Sequence, residues 1–451
     1  MIASTANKEF LTRGASSAVG RNLLWMVWSG GISIANSILV WVFMARMRDV
    51  EELGRFTIVM GLYTLFFGVC SLGLVPYLVS EISRRNEQFK TFQKNEQTIV
   101  EFVGSASVFL LISGIVCAFL MAACGFLVSD SWTVRVSTLV LSLALIPTGV
   151  LGVAEATAIS FDRTRLIAFV STFENVLRTV FPLWLIYSGF DISVICASFV
   201  AVRIVALIIY ARVAGNRLFK ASFAVDDLVR ILKVTPTFAA TIVFASINWQ
   251  AAVILLGLLS TEIESAKFGV ASRFLIPVTI LMASYANVIQ PMIAKKTLKS
   301  NENAGSFLSK MAGYPLILST LAAAASPFLS RQVLIVFFGE NYGDVAATLD
   351  ILALSVVPFC LVMVVARGLV ATNSQHIDLL ANALGVVACI TLGAMLVPKY
   401  GAIGAATAQL FSFLLMALVE VGYLTRKTVG FQIWRTAFLS LACLSLLHII
   451  F

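Results

Sequence analysis

Apolar runs of about 20 residues or more recur from one end of this chain to the other. They lie at about 22–45, 56–80, 102–128, 133–160, 166–189, 193–211, 235–259, 268–293, 307–329, 346–370, 377–397 and 402–425, with one more at about 433–451. Each is long enough to cross the hydrocarbon core of a bilayer as a helix. In that medium every backbone N–H and C=O needs an internal partner, so a spanning run has to be helical. The pattern predicts an all-α integral membrane protein of 12 transmembrane helices, 13 if the last run also crosses. Composition agrees, because 59% of the residues are hydrophobic and only 12% are charged. That balance excludes a soluble enzyme, a disordered chain and a nucleic-acid binder.

The segments between runs are short, the longest being about 81–101 and 212–234. They leave no room for an extramembrane catalytic domain. The chain lacks GxxxxGK[ST], HExxH and GxSxG, so we expect no catalytic residue, no metal site, no cofactor and no intrinsic ATPase. Energy then has to come from an H+ or Na+ gradient, from the substrate gradient or from removal of product. All seven cysteines (Cys70, Cys117, Cys124, Cys196, Cys360, Cys389 and Cys443) fall in apolar runs and read as small packed side chains.

Charge fixes the orientation. With the N-terminus in the cytoplasm, the outer segments hold seven of the 32 Lys and Arg residues: Arg46, Arg48, Arg55, Arg135, Lys267, Arg331 and Lys399. Arg178, Arg203 and Arg273 fall inside runs, and all the others lie on the cytoplasmic side. This is a strong positive-inside bias, and it explains the net charge of +9 as topology. Residues 1–21 are polar and show no removable signal, so the first span is expected to act as its own insertion signal.

The two halves look related. Residues 45–56 read ARMRDVEELGRF and residues 257–268 read GLLSTEIESAKF, an offset of 212. The same offset lays Ser188-Gly189-Phe190 on Tyr400-Gly401-Ala402. The expected organisation is a cytoplasmic segment 1–21, a six-helix lobe 22–213, a linker 214–234, a second six-helix lobe 235–425 and a hydrophobic segment 426–451, with the lobes around a central cavity. Parallel repeats of this kind place substrate sites between them. Prolines within or beside the runs, among them Pro76, Pro147, Pro182, Pro236, Pro277 and Pro358, predict kinks.

Ionisable groups inside spans are costly and mark function or a paired network. Arg178 stands 11 residues before Gly189, and Arg203 stands 12 after Asp191. At about 1.5 Å per residue both lie roughly 16–18 Å deep, near the midplane. Glu174 is one turn from Arg178 and can pair with it. One carboxylate leaves this layer with a surplus positive charge. Either it receives a phosphate or carboxylate, or it is a structural network that locks helices. Asn36, Asn248, Gln250 and Arg273 are further candidates for contacts to an anionic headgroup or to sugar hydroxyls. The amides read equally well as interhelical glue. Glu155, Asp350 and Glu420 join Glu174 as candidates for ion coupling or for a charge network.

Several segments resemble the polysaccharide transporter family of the multidrug/oligosaccharidyl-lipid/polysaccharide exporter superfamily. They are Leu53-Gly54-Arg55-Phe56 through Ser71-Leu72-Gly73-Leu74 to Glu81-Ile82-Ser83-Arg84-Arg85, then Phe337-Phe338-Gly339-Glu340-Asn341-Tyr342, then Val397-Pro398-Lys399-Tyr400-Gly401-Ala402. The resemblance spans about residues 20–425. It implies flipping of undecaprenyl-pyrophosphate-linked sugar units across a bacterial cytoplasmic (inner) membrane, for O-antigen, capsule or exopolysaccharide. The implied partners are the lipid-linked glycan, membrane lipid, and polymerase and chain-length proteins. Many relatives carry an Asp in the seventh span where this chain reads Asn248-Trp249-Gln250. Rival readings are an ion-coupled multidrug exporter, a peptidoglycan-precursor flippase, and a membrane glycan polymerase or ligase. Polymerases and ligases generally need a large external loop with Arg and His, and the external segments here are short and hold no His.

Overall fold

The computed structural model describes residues 31, 36–92, 97–161, 163–214, 224–297, 301–372, 374–428 and 431. Among them every regular element is helical. In chain order they are α1 (Asn36–Met47), α2 (Val50–Cys70), α3 (Val75–Phe92), α4 (Gln97–Val128), α5 (Trp132–Ser142), α6 (Leu145–Ser160), α7 (Thr164–Tyr187) and α8 (Ile192–Ala214). Then follow α9 (Val225–Leu259), α10 (Glu262–Ser272), α11 (Leu275–Thr297), α12 (Asn301–Phe338), a 3-10 turn (Glu340–Val345), α13 (Ala346–Ala371) and α14 (Gln375–Lys427).

The all-α membrane architecture holds, but the expected 12 spans appear in a different form. Among the described residues, nine helices are long and apolar enough to cross, or ten when the bent pair α10–α11 is taken as one span. Two of the expected runs, 377–397 and 402–425, lie within α14, whose 53 residues are interrupted by a non-helical Gly401. There α14 folds back on itself: Ser412 Oγ meets Gly385 O at 2.8 Å, and Lys427 Nζ meets Thr372 O at 3.1 Å. The run at 22–45 is represented by the short α1, and the run at 433–451 lies outside the described residues.

Prolines explain three helix breaks. Proline has no N–H for the carbonyl four residues back, and its ring collides with that carbonyl. Pro76, Pro147 and Pro277 each stand in the first turn of a helix, α3, α6 and α11. The residues four back, Leu72, Leu143 and Arg273, lie in the breaks that precede those helices. Leu72 takes φ 48° and Gly73 φ 66° as the chain turns there. The α10–α11 pair bends by 43°. Pro182, Pro236 and Pro358 sit inside helices that continue past them.

The chain packs as two compact units. Among the described residues, one lies within 31–40, 70–119 and 140–236, and the other within 41–69, 120–139 and 237–431. The first has an apolar core that includes Leu74, Leu78, Phe102, Leu110, Leu151 and Tyr210, from α3, α4, α6 and α8. In the second, α2 lies antiparallel against α9 and the start of α10 through glycines seven residues apart. Gly54 meets the Glu262 carbonyl, Gly61 the Val253 side chain and Gly68 Ser246. With no Cβ in the way, the backbones approach closely, as small residues allow between membrane helices.

Candidate functional site

α8 is apolar almost throughout, yet Arg203 stands at its centre, 11 residues from Ile192 and 11 from Ala214. At about 1.5 Å per residue that is roughly 16 Å from either end. A guanidinium held there needs partners, and α7 supplies them. Arg203 Nη1 lies 2.9 Å from Glu174 Oε1. Arg178 Nη1 reaches the same oxygen at 3.7 Å, from one helical turn further along α7. Its guanidinium also lies 5.5 Å from the Phe199 ring centroid on α8, within cation–π range. The neighbouring Thr179 hydroxyl donates to Asn36 Oδ1 at 2.8 Å and ties α1 to this part of α7.

Glu155 on α6 and Tyr210 on α8 lie within electrostatic reach of both Arg203 and Glu174. Glu155 thus adds a second carboxyl group to the surroundings of Arg203 and Glu174. An anion entering here has to compete with Glu174 for the guanidiniums. The longer Arg178 contact is the weaker hold. The Arg178 side chain is also the more exposed, 18% against 8% for Arg203.

The remaining sequence candidates lie in the second unit. Asn248 accepts from Ser412 Oγ at 2.8 Å and places its Nδ2 2.8 Å from Met416 Sδ, joining α9 to α14 as interhelical glue. Gln250 is buried. Arg273 stacks 3.7 Å from the centroid of Trp41 at the α10–α11 break. Asp350 accepts from Ser330 and so links α13 to α12. Glu420 is wholly buried on α14.

Sequence reasoning passed over a second charged assembly, which ties the start of α9 to α3 and α4. Glu81 receives Arg84 at 2.7 Å, Arg85 at 2.9 Å and Arg230 at 3.3 Å. Arg85 also pairs with Asp227 and lies 4.3 Å from the Phe102 ring centroid. Ser105 Oγ bonds both N and O of Ala224, at 3.0 and 3.2 Å. In the sequence reading the arginines entered as evidence for orientation, and Glu81, Arg84 and Arg85 as part of the family resemblance. Their pairing across more than 100 residues carries no local signal.

The chain shares its fold with the lipid II flippase MurJ in an inward closed conformation, at TM-score 0.74 and 16% identity over 95% of this chain and 92% of that one. It also shares it with an inward-facing multidrug resistance MATE family transporter of the MOP superfamily, at TM-score 0.70 and 13% identity over 92% and 95%. A comparison with curated proteins gives no match. Residues 19–297, more than half of the chain, match the family model described as polysaccharide biosynthesis protein. A helical membrane protein with a charge cluster buried at mid-depth, this chain belongs to the polysaccharide biosynthesis protein family.

Proposed function

We propose that this protein is a flippase. It carries undecaprenyl-pyrophosphate-linked oligosaccharide units from the cytoplasmic to the outer leaflet of a bacterial cytoplasmic membrane, for assembly of O-antigen, capsule or exopolysaccharide. The observation that carries this reading is the Glu174–Arg178–Arg203 cluster at mid-depth, in a chain of the polysaccharide biosynthesis family. A pyrophosphate bearing sugars cannot cross hydrocarbon unaided. Arginine's planar fork suits phosphate oxygens, and a doubly charged headgroup competes well with one carboxylate for two guanidiniums. In this reading the headgroup displaces Glu174, and Glu155 and Tyr210 steady Arg203 meanwhile. In the same reading Asn36, beside Thr179, meets a sugar hydroxyl. The two six-helix lobes expected from the repeat rock to alternate access, and the N-terminus faces the cytoplasm.

The test is transport of a fluorescent undecaprenyl-pyrophosphate oligosaccharide in proteoliposomes. Wild type should move the lipid. The Arg178→Ala/Arg203→Ala protein, shown by gel filtration to be folded, should be slower by about tenfold or more, the scale of a lost charge-assisted contact. Equal rates would remove the cluster from the mechanism. Export of organic cations without movement of the lipid would replace the flippase reading with a drug-exporter one.

A further inference from the structure

The second unit holds a buried acid that the lipid-binding cluster does not use. Glu420 on α14 has no exposed surface. No N–H or O–H donor among the described residues reaches either of its carboxyl oxygens. What lies within hydrogen-bonding reach is another carboxyl, that of Asp378. The fold-back of α14 causes the encounter. Asp378 stands in the first turn of α14, and Glu420 stands on the returning limb, two turns before its end. Asn382 Nδ2 donates to Asp378 Oδ1 at 3.0 Å. Arg367 on α13 lies within electrostatic reach of Asp378. Its Nε is itself buried without a hydrogen-bond partner among the described residues.

Two carboxyls in contact, one wholly buried and the other half-buried, disfavour both being ionised at once. The contact closes when one proton sits between them, one carboxyl donating O–H to the other. The pair then carries a single negative charge, matched by the single positive charge of Arg367. A metal cation suits the place poorly. Hard cations take several oxygens at once. Here Asn382 turns its N–H toward Asp378, and the Arg367 guanidinium repels a cation. Among the described residues, Arg367 is the charged group that acts on the pair from outside it. On α14, His376 and Lys427 gather on the Tyr423 ring, 6.2 and 5.7 Å from its centroid, and Arg426 is exposed. α12 reaches this end through Leu308 against Gly368, and its Lys310 is exposed.

We propose that Asp378 and Glu420 form a binding site for one proton, exchanged at the α13–α14 end of the membrane as the protein works. The site stands on its own geometry. Its part in the transport cycle rests on the flippase reading.

Infrared difference spectroscopy of the full-length protein, between neutral and alkaline buffer, reads the proton directly. Wild type should show the carbonyl stretch of a protonated carboxyl at neutral pH, lost in alkali. Glu420→Gln should lose that band, and Asp378→Asn should shift it. Both changes are isosteric, and gel filtration verifies folding. A band that persists unchanged in Glu420→Gln overturns the site. A band displaced by sodium at fixed pH overturns the choice of proton. In proteoliposomes, lipid movement by wild type should respond to an imposed pH gradient, and Glu420→Gln should lose that response. A retained response alongside a lost band overturns the coupling role. A wild type that keeps the band but moves no lipid leaves the proton site standing and refutes the flippase reading instead.

Discussion

Gly401 shows how much a single residue can decide. It takes φ 52°, a region that favours glycine, and Glu264 Oε2 occupies the space where a Cβ would stand. The same carboxylate accepts from the Ala402 N–H at 2.8 Å and so satisfies an amide that the break leaves free. Gly401→Ala should cost about 1–3 kcal/mol in backbone strain alone, and the Glu264 contact adds to it. Thermal denaturation of the purified protein should show Gly401→Ala melting below both wild type and Glu264→Gln. Asn248→Leu should cost less, about 1 kcal/mol, the scale of one interhelical polar contact. The turn at Gly401 was legible, because it aligns with Gly189 at the repeat offset, and Gly189 also has positive φ, 80°. Asp378 was not legible. At the edge of an apolar run an acid looks like a solvated end, and only the returning limb of α14 buries it against Glu420.

Among the elements, prolines were the readable part. The sequence marks Pro76, Pro147 and Pro277 as kinks, and the breaks fall four residues upstream, where the carbonyl loses its donor. It does not say which prolines will break a helix outright. Pro358 leaves α13 continuous, because the outcome depends on neighbours that no local pattern encodes. The α2 glycines were legible only as spacing, with no hint of the partner helix. Gly61→Leu, which forces a side chain into Val253, should destabilise by about 1–3 kcal/mol. The same change at Gly152, whose Cβ would meet Val75 only at 3.6 Å, should cost less. A denaturant series on the two proteins separates them.

For the whole molecule, the helix ends repeat as the sequence motifs do. α1 ends at Met47 and α9 at Leu259, and α2 starts at Val50 and α10 at Glu262, each pair 212 residues apart. Charges within the helices break the symmetry: Glu155 corresponds to Arg367. One half thus gathers guanidiniums around Glu174, and the other sets a guanidinium beside a carboxyl pair. Orientation can be tested by cysteine labelling once Cys443 and the half-buried Cys124 are replaced by serine. Among the described residues Cys70, Cys117, Cys196, Cys360 and Cys389 are buried. Cysteine placed at Asp130, a fully exposed side chain, should react with an impermeant maleimide added outside the cell. Cysteine at the exposed Asp226 should react only after the membrane is opened. The reverse pattern would turn the protein over and with it the direction of transport.

The seam between α2 and α9–α10 has a kinetic consequence. Helices that interlock through long side chains must reset many rotamers each time they part and rejoin. Gly54, Gly61 and Gly68 have no rotamers to reset and no side-chain entropy to lose. Were these helices to part, the seam would re-form without the re-sorting of an interdigitated core.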